Sequence, residues 1–283
     1  MRLLFIGDVV GRSGRAALVE HVPLLRARWD LDFVIVNGEN AAGGFGLTEA
    51  IFEEFLAIGV DAVTLGNHAF DQREALIFIE RQPRLVRPAN YPAGTPGRGA
   101  ALISNGKGER LLIVNVLGRL FMDALDDPFA TIERELGACP LHERCDATVI
   151  DVHAEATSEK WALGHFADGR ASLVVGTHTH VPSADHRILS GGTGFVTDVG
   201  MTGDYDSVIG MDKDEPLRRF TRRISSGRFE PAVGPATFCA VAVETGADGL
   251  AEAISPVRIG GLLESATPAF WTKRIDDRPD NRL

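Results

Sequence analysis

The sequence predicts an α/β protein in which two mixed sheets pack together with helices outside. Three observations carry that class. Short runs rich in Val, Ile and Leu recur through the first two thirds of the chain, each the length of a buried strand: LLFIG, FVIVNG, AVTLG, LLIVNV, ATVIDV and SLVVGT. Several are separated by stretches of helical period, the alternation that builds parallel β-α-β units. Other runs are joined by short turns, which argues against a purely parallel sheet.

Taken in order, LLFIG is followed by Leu18, Val22, Leu25 and Trp29 at spacings of three or four, a helix over 15–29 that Pro23 is expected to disturb. After FVIVNG, Thr48 caps a helix with Ile51, Phe52, Phe55 and Leu56 on one face, and Gly59 takes the C′ position beyond its end. After AVTLG, Asp71 and Glu74 form a capping-box-like start for residues 75–80. The segment ALISNGKGERLLIVNV reads as a hairpin turning at 105–108, and Pro128 suits the first turn of a helix reaching Gly137. HRILSGGTGFVTDV and TFCAVAVETGADGLAEAISPV read as further hairpins. No internal repeat or linker divides the chain, so a single domain over 1–283 is expected, ending in a charged, frayed tail near 272–283.

With 283 residues, 45% of them hydrophobic, the chain can bury a sizeable core. Its net charge of -10 exerts no general pull on nucleic acid or anionic lipid. No basic groove is evident, so binding of a nucleic-acid strand is not expected. Cys139, Cys145 and Cys239 are too few and too unevenly placed for a secreted disulfide framework. Cys139 and Cys145 flank His142 but lack the fourth ligand of a structural zinc site. The apolar N-terminal stretch is broken at Asp8, too short for a signal peptide, and no other run is long enough to span a membrane. The expected location is the cytoplasm.

The residues that follow the strands carry the chemistry. Asp8 follows LLFIG; Glu39 and Asn40 follow FVIVNG; Asn67 and His68 follow AVTLG; His153 ends ATVIDV; His178 and His180 follow SLVVGT. Ligands of open α/β sheets bind at the carboxyl edge of the strands, where loops from neighbouring strands converge. In extended structure, residues two apart share a face, so His178 and His180 are expected to aim at one target from a strand. Each residue alone has a bland reading, such as a turn, a loop hydrogen bond or a satisfied core histidine; their joint placement is what counts. Half of the eight histidines fall in this set. His21 and His165 belong to helices, and His142 and His186 have no such setting. Nitrogen and hard oxygen donors without thiolate suit Mn(II), Fe(II) or Zn(II). The donors exceed one tetrahedral site, and two metals about 3.5–4 Å apart sharing a carboxylate would use them.

The ordered motifs GD (7–8), NGEN (37–40), GNH (66–68), His153 and GTHTH (176–180) resemble the calcineurin-like metallophosphoesterases. Along nearly the whole chain, the likeness is closer to their YmdB-type branch, the 2′,3′-cyclic-nucleotide 2′-phosphodiesterases. IGDVVGRSGR, VNGENAAGGFGLT, GVDAVTLGNHAFD, RPANYP, VVGTHTHVPSAD and TDVGMTG carry it. The resemblance implies a four-layer α/β/β/α sandwich of two mixed sheets holding two divalent transition metals, Fe or Mn, with Zn also admitted. It assigns Asp8, Glu39 and His180, with Asn40 as a further ligand, to one metal. Glu39 bridges to a second metal completed by Asn67, His153 and His178, and His68 is the proton donor. The implied reaction opens a small cyclic nucleotide or related phosphodiester to a 3′-nucleotide, a bridging hydroxide attacking phosphorus. Whether the chain forms a homo-oligomer is left open.

Several positions depart from the broader pattern. Val9 and Val10 stand where Asp-x-His is usual, so one imidazole is missing. GNH is followed by Ala69 where Asp is usual, and Asp71 is the candidate substitute for orienting His68. Glu39 occupies a bridging position that is normally Asp, and Asp204 stands where the branch has proline. Two readings stay open for AAGGFGLT, backbone contacts to phosphate or simply a tight loop. Glu155, Thr157 and Ser158 are candidates to brace the ligands, with helix capping favoured for Thr157 or Ser158. The rival functions are another metallophosphoesterase activity (nucleotidase, phosphatase or nuclease) and a regulatory protein retaining the metal site. A di-iron redox protein is disfavoured because the paired Glu-x-x-His helices of such bundles are absent.

Overall fold

The computed structural model describes residues 1–272, apart from the side chain of Thr272. The tail expected near 272–283 falls, beyond that residue, outside the described residues. The chain opens with β1 (Arg2–Ile6), α1 (Gly11–Trp29), β2 (Phe33–Asn37), α2 (Glu49–Ala57) and β3 (Ala62–Thr64). One helical turn, α3 (Ala75–Phe78), continues through a 3-10 turn (Ile79–Arg81) into β4 (Leu85–Val86). Next come β5 (Ala100–Ser104), β6 (Arg110–Leu117), α4 (Pro128–Ala138), β7 (Ala147–His153), α5 (Thr157–Ala167) and β8 (Leu173–Thr177). The last third holds β9 (Arg187–Ile188), β10 (Gly194–Val196), β11 (Gly203–Asp204), α6 (Asp214–Arg222), β12 (Ala236–Thr245), β13 (Ala251–Ile259) and α7 (Ala269–Thr272).

Two mixed sheets result. In the first, β1, β2, β3 and β4 run parallel, while β12 pairs antiparallel with β1, β11 and β13. In the second, β6, β7, β8 and β10 are parallel, with β5 and β9 antiparallel at its edges. All three expected hairpins form, as β5–β6, β9–β10 and β12–β13. Period-two alternation sorts each strand between layers. Leu4, Ile6, Val34 and Val36 face α1 and α2, whereas Leu3, Phe5, Phe33 and Ile35 face the other sheet and meet Leu111, Ile113, Val149 and Val175. On the far side Leu112, Val114, Ile150 and Val152 pack under α4 and α5. Three apolar layers therefore separate four structural ones, α/β/β/α, as the sequence and its resemblance imply.

The helices agree with the sequence where a cap or periodicity specifies them. The Thr48 hydroxyl accepts from Ile51 N at 3.3 Å, and Gly59 has φ +101°. Pro128 starts α4 behind Asp127, whose carboxylate accepts from Phe129 N at 2.9 Å. Three expectations need correction. α1 begins at Gly11 rather than 15 and runs through Pro23; Gly14 lets it start hard against the chain, since a Cβ there would lie 2.3 Å from Thr202 O. Asp71 and Glu74 do not form a capping box: Glu74 accepts from Glu49 N instead, and the helix lasts one turn. Neither Thr157 nor Ser158 caps α5, because Ala156 occupies that position.

Candidate metal centre

The carboxyl ends of β1, β2, β3, β7 and β8 meet where the two sheets adjoin, and all eight expected residues come to that edge. Glu39, Asn40, His68, His178 and His180 line a cleft of about 280 Å³, with Asp8 and His153 buried beside them. The tightest grouping is around His153 Nε2. Glu39 Oε1 lies 2.9 Å from it, Asn67 Oδ1 3.0 Å and His178 Nδ1 3.1 Å. One ring nitrogen cannot serve three such partners through a single N–H, but a cation among them could accept all of their lone pairs. Among the described residues, Glu39, His153 and His178 form the group able to hold a metal ion.

The hydrogen bonds behind the rings set their tautomers. Thr177 Oγ1 donates to Asp151 at 2.7 Å, so it accepts from His153 Nδ1 at 2.8 Å, leaving the lone pair of Nε2 for the centre. The carbonyl of Ile209 accepts from His180 Nδ1 at 2.7 Å, which likewise frees Nε2. Glu155 stands 3.3 Å from His178 Nε2 and favours the proton there, turning Nδ1 inward. Asp8 accepts from His178 N at 3.3 Å. Its Oδ1, and Oδ1 of Asn40, are buried without a hydrogen-bond partner among the described residues. Two orphaned oxygens beside three aligned imidazoles fit divalent metal.

Charge follows the same logic. Burial alone would raise the Glu39 carboxyl, but the facing His153 and His68 more than offset it and hold the pKa at about 2. Burial alone would lower His153, yet Glu39, Asp8 and Asp151 raise it to about 9. Burial and the neighbouring His153 push His178 down to about 3, keeping it a neutral donor. Burial raises Asp8 against the attraction of His180 and His153. Bound cations would replace the proton that this acidic cluster otherwise retains.

The GTHTH geometry differs from expectation. β8 ends at Thr177, and His178 (φ +93°) and His180 (φ +67°) are both in the left-handed region, so the two rings are presented by a strained turn rather than by strand alternation. Residues absent from the sequence reading hold that turn. Asp198 accepts from Thr179 N (3.1 Å), Thr179 Oγ1 (2.7 Å), Gly200 N (2.8 Å) and the buried Lys160 Nζ (2.8 Å). A second support was also missed: Asp151 accepts from Thr64 Oγ1 (2.6 Å) and Asn37 Nδ2 (3.2 Å) as well as Thr177. A charge at 151 inside a wholly buried strand, two residues before His153 on the same face, was the available signal. Lys160 carried none, and Asp198 stood within TDVGMTG without a readable role, because their partners are distant in sequence.

The departures from pattern are filled by other residues. Asp71 Oδ2 lies 2.8 Å from His68 Nδ1, taking the role vacated at Ala69, and Phe45 meets the His68 ring edge-on at 5.1 Å. Val9 and Val10 are buried and apolar, so they supply no donor where Asp-x-His would place an imidazole. Asp204 anchors its loop by accepting from Asp206 N and Gly234 N. Gly66 is obligatory: a Cβ would sit 2.3 Å from both Glu39 Oε2 and His153 Nε2.

Sandwiched sheets with histidine, carboxylate and amide donors at their shared edge have the metallophosphoesterase fold, which implies divalent metal ions. Comparison with known proteins narrows the class. Residues 4–257 match the YmdB-like protein family, and the chain belongs to it. It is 49% identical over 244 residues to the 2′,3′-cyclic-nucleotide 2′-phosphodiesterase of Bacillus subtilis (strain 168), covering 86% of this chain and 91% of that protein. Among solved structures, a hypothetical protein from Thermus thermophilus superimposes with TM-score 0.86 at 47% identity, over 93% of this chain and 100% of that one. A phosphatase from Mycoplasma pneumoniae gives TM-score 0.84 at 31% identity, over 96% of each chain. No helix among the described residues is long and apolar enough to cross a membrane.

Proposed function

We propose that this protein is a metal-dependent phosphodiesterase that opens 2′,3′-cyclic nucleotides to 3′-nucleotides. The observation that carries the reading is the convergence of Glu39, Asn67 and His178 on His153 Nε2, with His68 held beside them by Asp71. The regiochemistry rests on likeness to the Bacillus subtilis enzyme. In this reading, Asp8, Glu39 and His180, with Asn40, hold one divalent metal, and Glu39, Asn67, His153 and His178 a second. The 3.1 Å approach of His178 Nδ1 to His153 Nε2, and the attraction between His180 and Asp8, support that division. Iron or manganese suits the donor set, with zinc also admitted. Such ions neutralise phosphoryl oxygens and lower the pKa of a water from about 15.7 toward about 7.

The chain's own residues do the rest. Asp71 accepts from His68 Nδ1 and turns Nε2 toward the cleft, so the doubly protonated ring is the form that can donate from Nε2. Water adds through its oxygen to phosphorus as the P–O2′ bond breaks, its released proton passing to solvent while His68 delivers its own to the departing O2′, leaving a 3′-phosphomonoester. Glu39 also accepts from His68 N at 3.0 Å, so the residue that holds metal also fixes the acid's backbone.

The test is a product-resolved assay of metal-loaded protein on cyclic diesters, linear diesters and phosphomonoesters. His68→Ala is expected to lower kcat by about 10²–10⁴-fold on substrates with poor leaving groups. Undiminished turnover would remove the general-acid role, and active protein free of transition metal by elemental analysis would end the mechanism. Turnover confined to monoesters would indicate the phosphatase or nucleotidase alternative.

A further inference from the structure

The net charge of -10 conceals a basic segment beside the cleft. Residues 213–229, KDEPLRRFTRRISSGRF, carry Lys213, Arg218, Arg219, Arg222, Arg223 and Arg228, interleaved with Phe220 and Phe229. Lys213 pairs with Asp206 and Arg219 with Glu215. Arg218, Arg222, Arg223 and Arg228 are exposed, and among the described residues none has a carboxylate within ion-pair distance. The segment is tied in place: Glu215 accepts from Arg219 Nε (2.7 Å) and Ser226 Oγ (2.7 Å), and Arg219 stacks 4.0 Å over the Phe229 ring while donating to Gly227 O. Phe220, although 79% exposed, lines the metal cleft together with Phe229. Phe45 and Phe229 also border an adjoining cavity of about 470 Å³ whose rim includes Arg228, Gln72 and Gly43.

Arg228, unpaired on the rim of the adjoining cavity, and the rings of Phe45, Phe220 and Phe229 along the two openings are elements that hold single-stranded nucleic acid, charge meeting phosphate and rings stacking on bases, with Arg218, Arg222 and Arg223 exposed on the same segment. We infer that the substrate is the 3′ end of a single-stranded RNA bearing a 2′,3′-cyclic phosphate, its terminal nucleotide in the metal cleft and the preceding one in the adjoining cavity beside Arg228. This rests on the phosphodiesterase reading above, and it reverses the expectation drawn from overall charge. A local basic patch is compatible with an acidic protein because screening confines the field of each group to about 10 Å at 0.1 M salt. No base-specific hydrogen bond is required, so the site reads the end group and the strand rather than a sequence.

The test compares adenosine 2′,3′-cyclic monophosphate with a tetraribonucleotide ending in 2′,3′-cyclic phosphate, using the full metal-loaded chain. At low salt, kcat/KM is expected to favour the tetranucleotide by about tenfold or more, and because each neutralised phosphate contributes a log–log salt slope near about -0.7, the preference should collapse at high salt. In Arg222→Ala/Arg223→Ala/Arg228→Ala, the tetranucleotide-to-mononucleotide ratio should fall at least about fivefold; Phe220→Ala should lower it without changing the salt slope. Hydrolysis of the mononucleotide with a native ratio near one, or a ratio unmoved by the arginine changes, would overturn this inference alone. If neither probe is hydrolysed, the phosphodiesterase reading fails. Fluorescence anisotropy of the labelled tetranucleotide then decides strand binding separately: arginine-dependent binding supports it and no binding refutes it.

Discussion

Lys160→Met tests whether a buried ion pair sets the geometry of the two cleft histidines. Lys160 and Asp198 are 1% and 2% exposed and 2.8 Å apart, and Asp198 directly holds Thr179 between His178 and His180. Removing one partner of a buried pair costs about 3–5 kcal/mol, because the other charge is left uncompensated. Asp198 keeps its three hydrogen bonds from Thr179 and Gly200, which places the expected loss at the lower end, about 3 kcal/mol. Urea denaturation of metal-free protein measures that loss. Lys160→Met/Asp198→Asn, which removes both charges, should recover much of it. Because residues that orient metal ligands typically change affinity by about 10–100-fold, calorimetric metal titration of the single variant should show weaker binding in that range. A loss below about 1 kcal/mol together with native metal affinity would refute the anchoring role, since an uncompensated buried carboxylate destabilises by more than that.

Other outcomes follow from the same geometry. Gly66→Ala, which forces a Cβ to 2.3 Å from Glu39 and His153, should cost about 1–3 kcal/mol of stability and weaken metal binding, read by thermal melts with and without metal; unchanged binding would contradict the packing. Asp71→Asn should lower kcat by less than His68→Ala does, with the deficit growing as the leaving group worsens; equal losses on good and poor leaving groups would remove Asp71 from the proton-donor function. Asp32, whose pKa is lowered because hydrogen bonds from Lys107 and Arg2 outweigh burial, contributes stability present above its unfolded value near 3.8 and lost as pH falls through its folded value. Asp32→Asn should therefore unfold at lower urea than the native chain at pH 7, and the gap should close in strong acid. A gap independent of pH would show that shape rather than charge is at work.

Much of the site was legible because its residues follow strands in a recurring local order. An apolar run ending in Gly-Asp, Asn-Gly-Glu-Asn, Gly-Asn-His or Thr-His-Thr-His announces both the strand and the loop, and parallel strands deliver their carboxyl ends to one edge. The hairpins were equally local, written as turn residues between apolar runs. The helix starting at Gly11 was harder to see, because Gly14 in its first turn serves contact with Thr202, far along the chain, rather than helix propensity. The short helix after Asp71 failed as a prediction because both presumed capping carboxylates are used elsewhere, by His68 and by Glu49.

By itself, the sequence determined the fold class, the donor types and the edge at which they gather, since each depends on periodicity and chemistry within a few residues. Only the tertiary structure decided how those donors meet. The left-handed turn at His178 and His180 is held through Thr179 by Asp198, which follows β10, and Asp198 is held in turn by Lys160 from α5. The ring tautomers are set by Thr177, Ile209 and Glu155, and the orientation of the His68 ring by Asp71. Likewise, the basic segment of α6 comes beside the cleft only through the fold, where Pro216 and Phe220 line it. Hydrogen bonds and Coulomb forces act over a few ångströms of space, and sequence distance does not measure that separation.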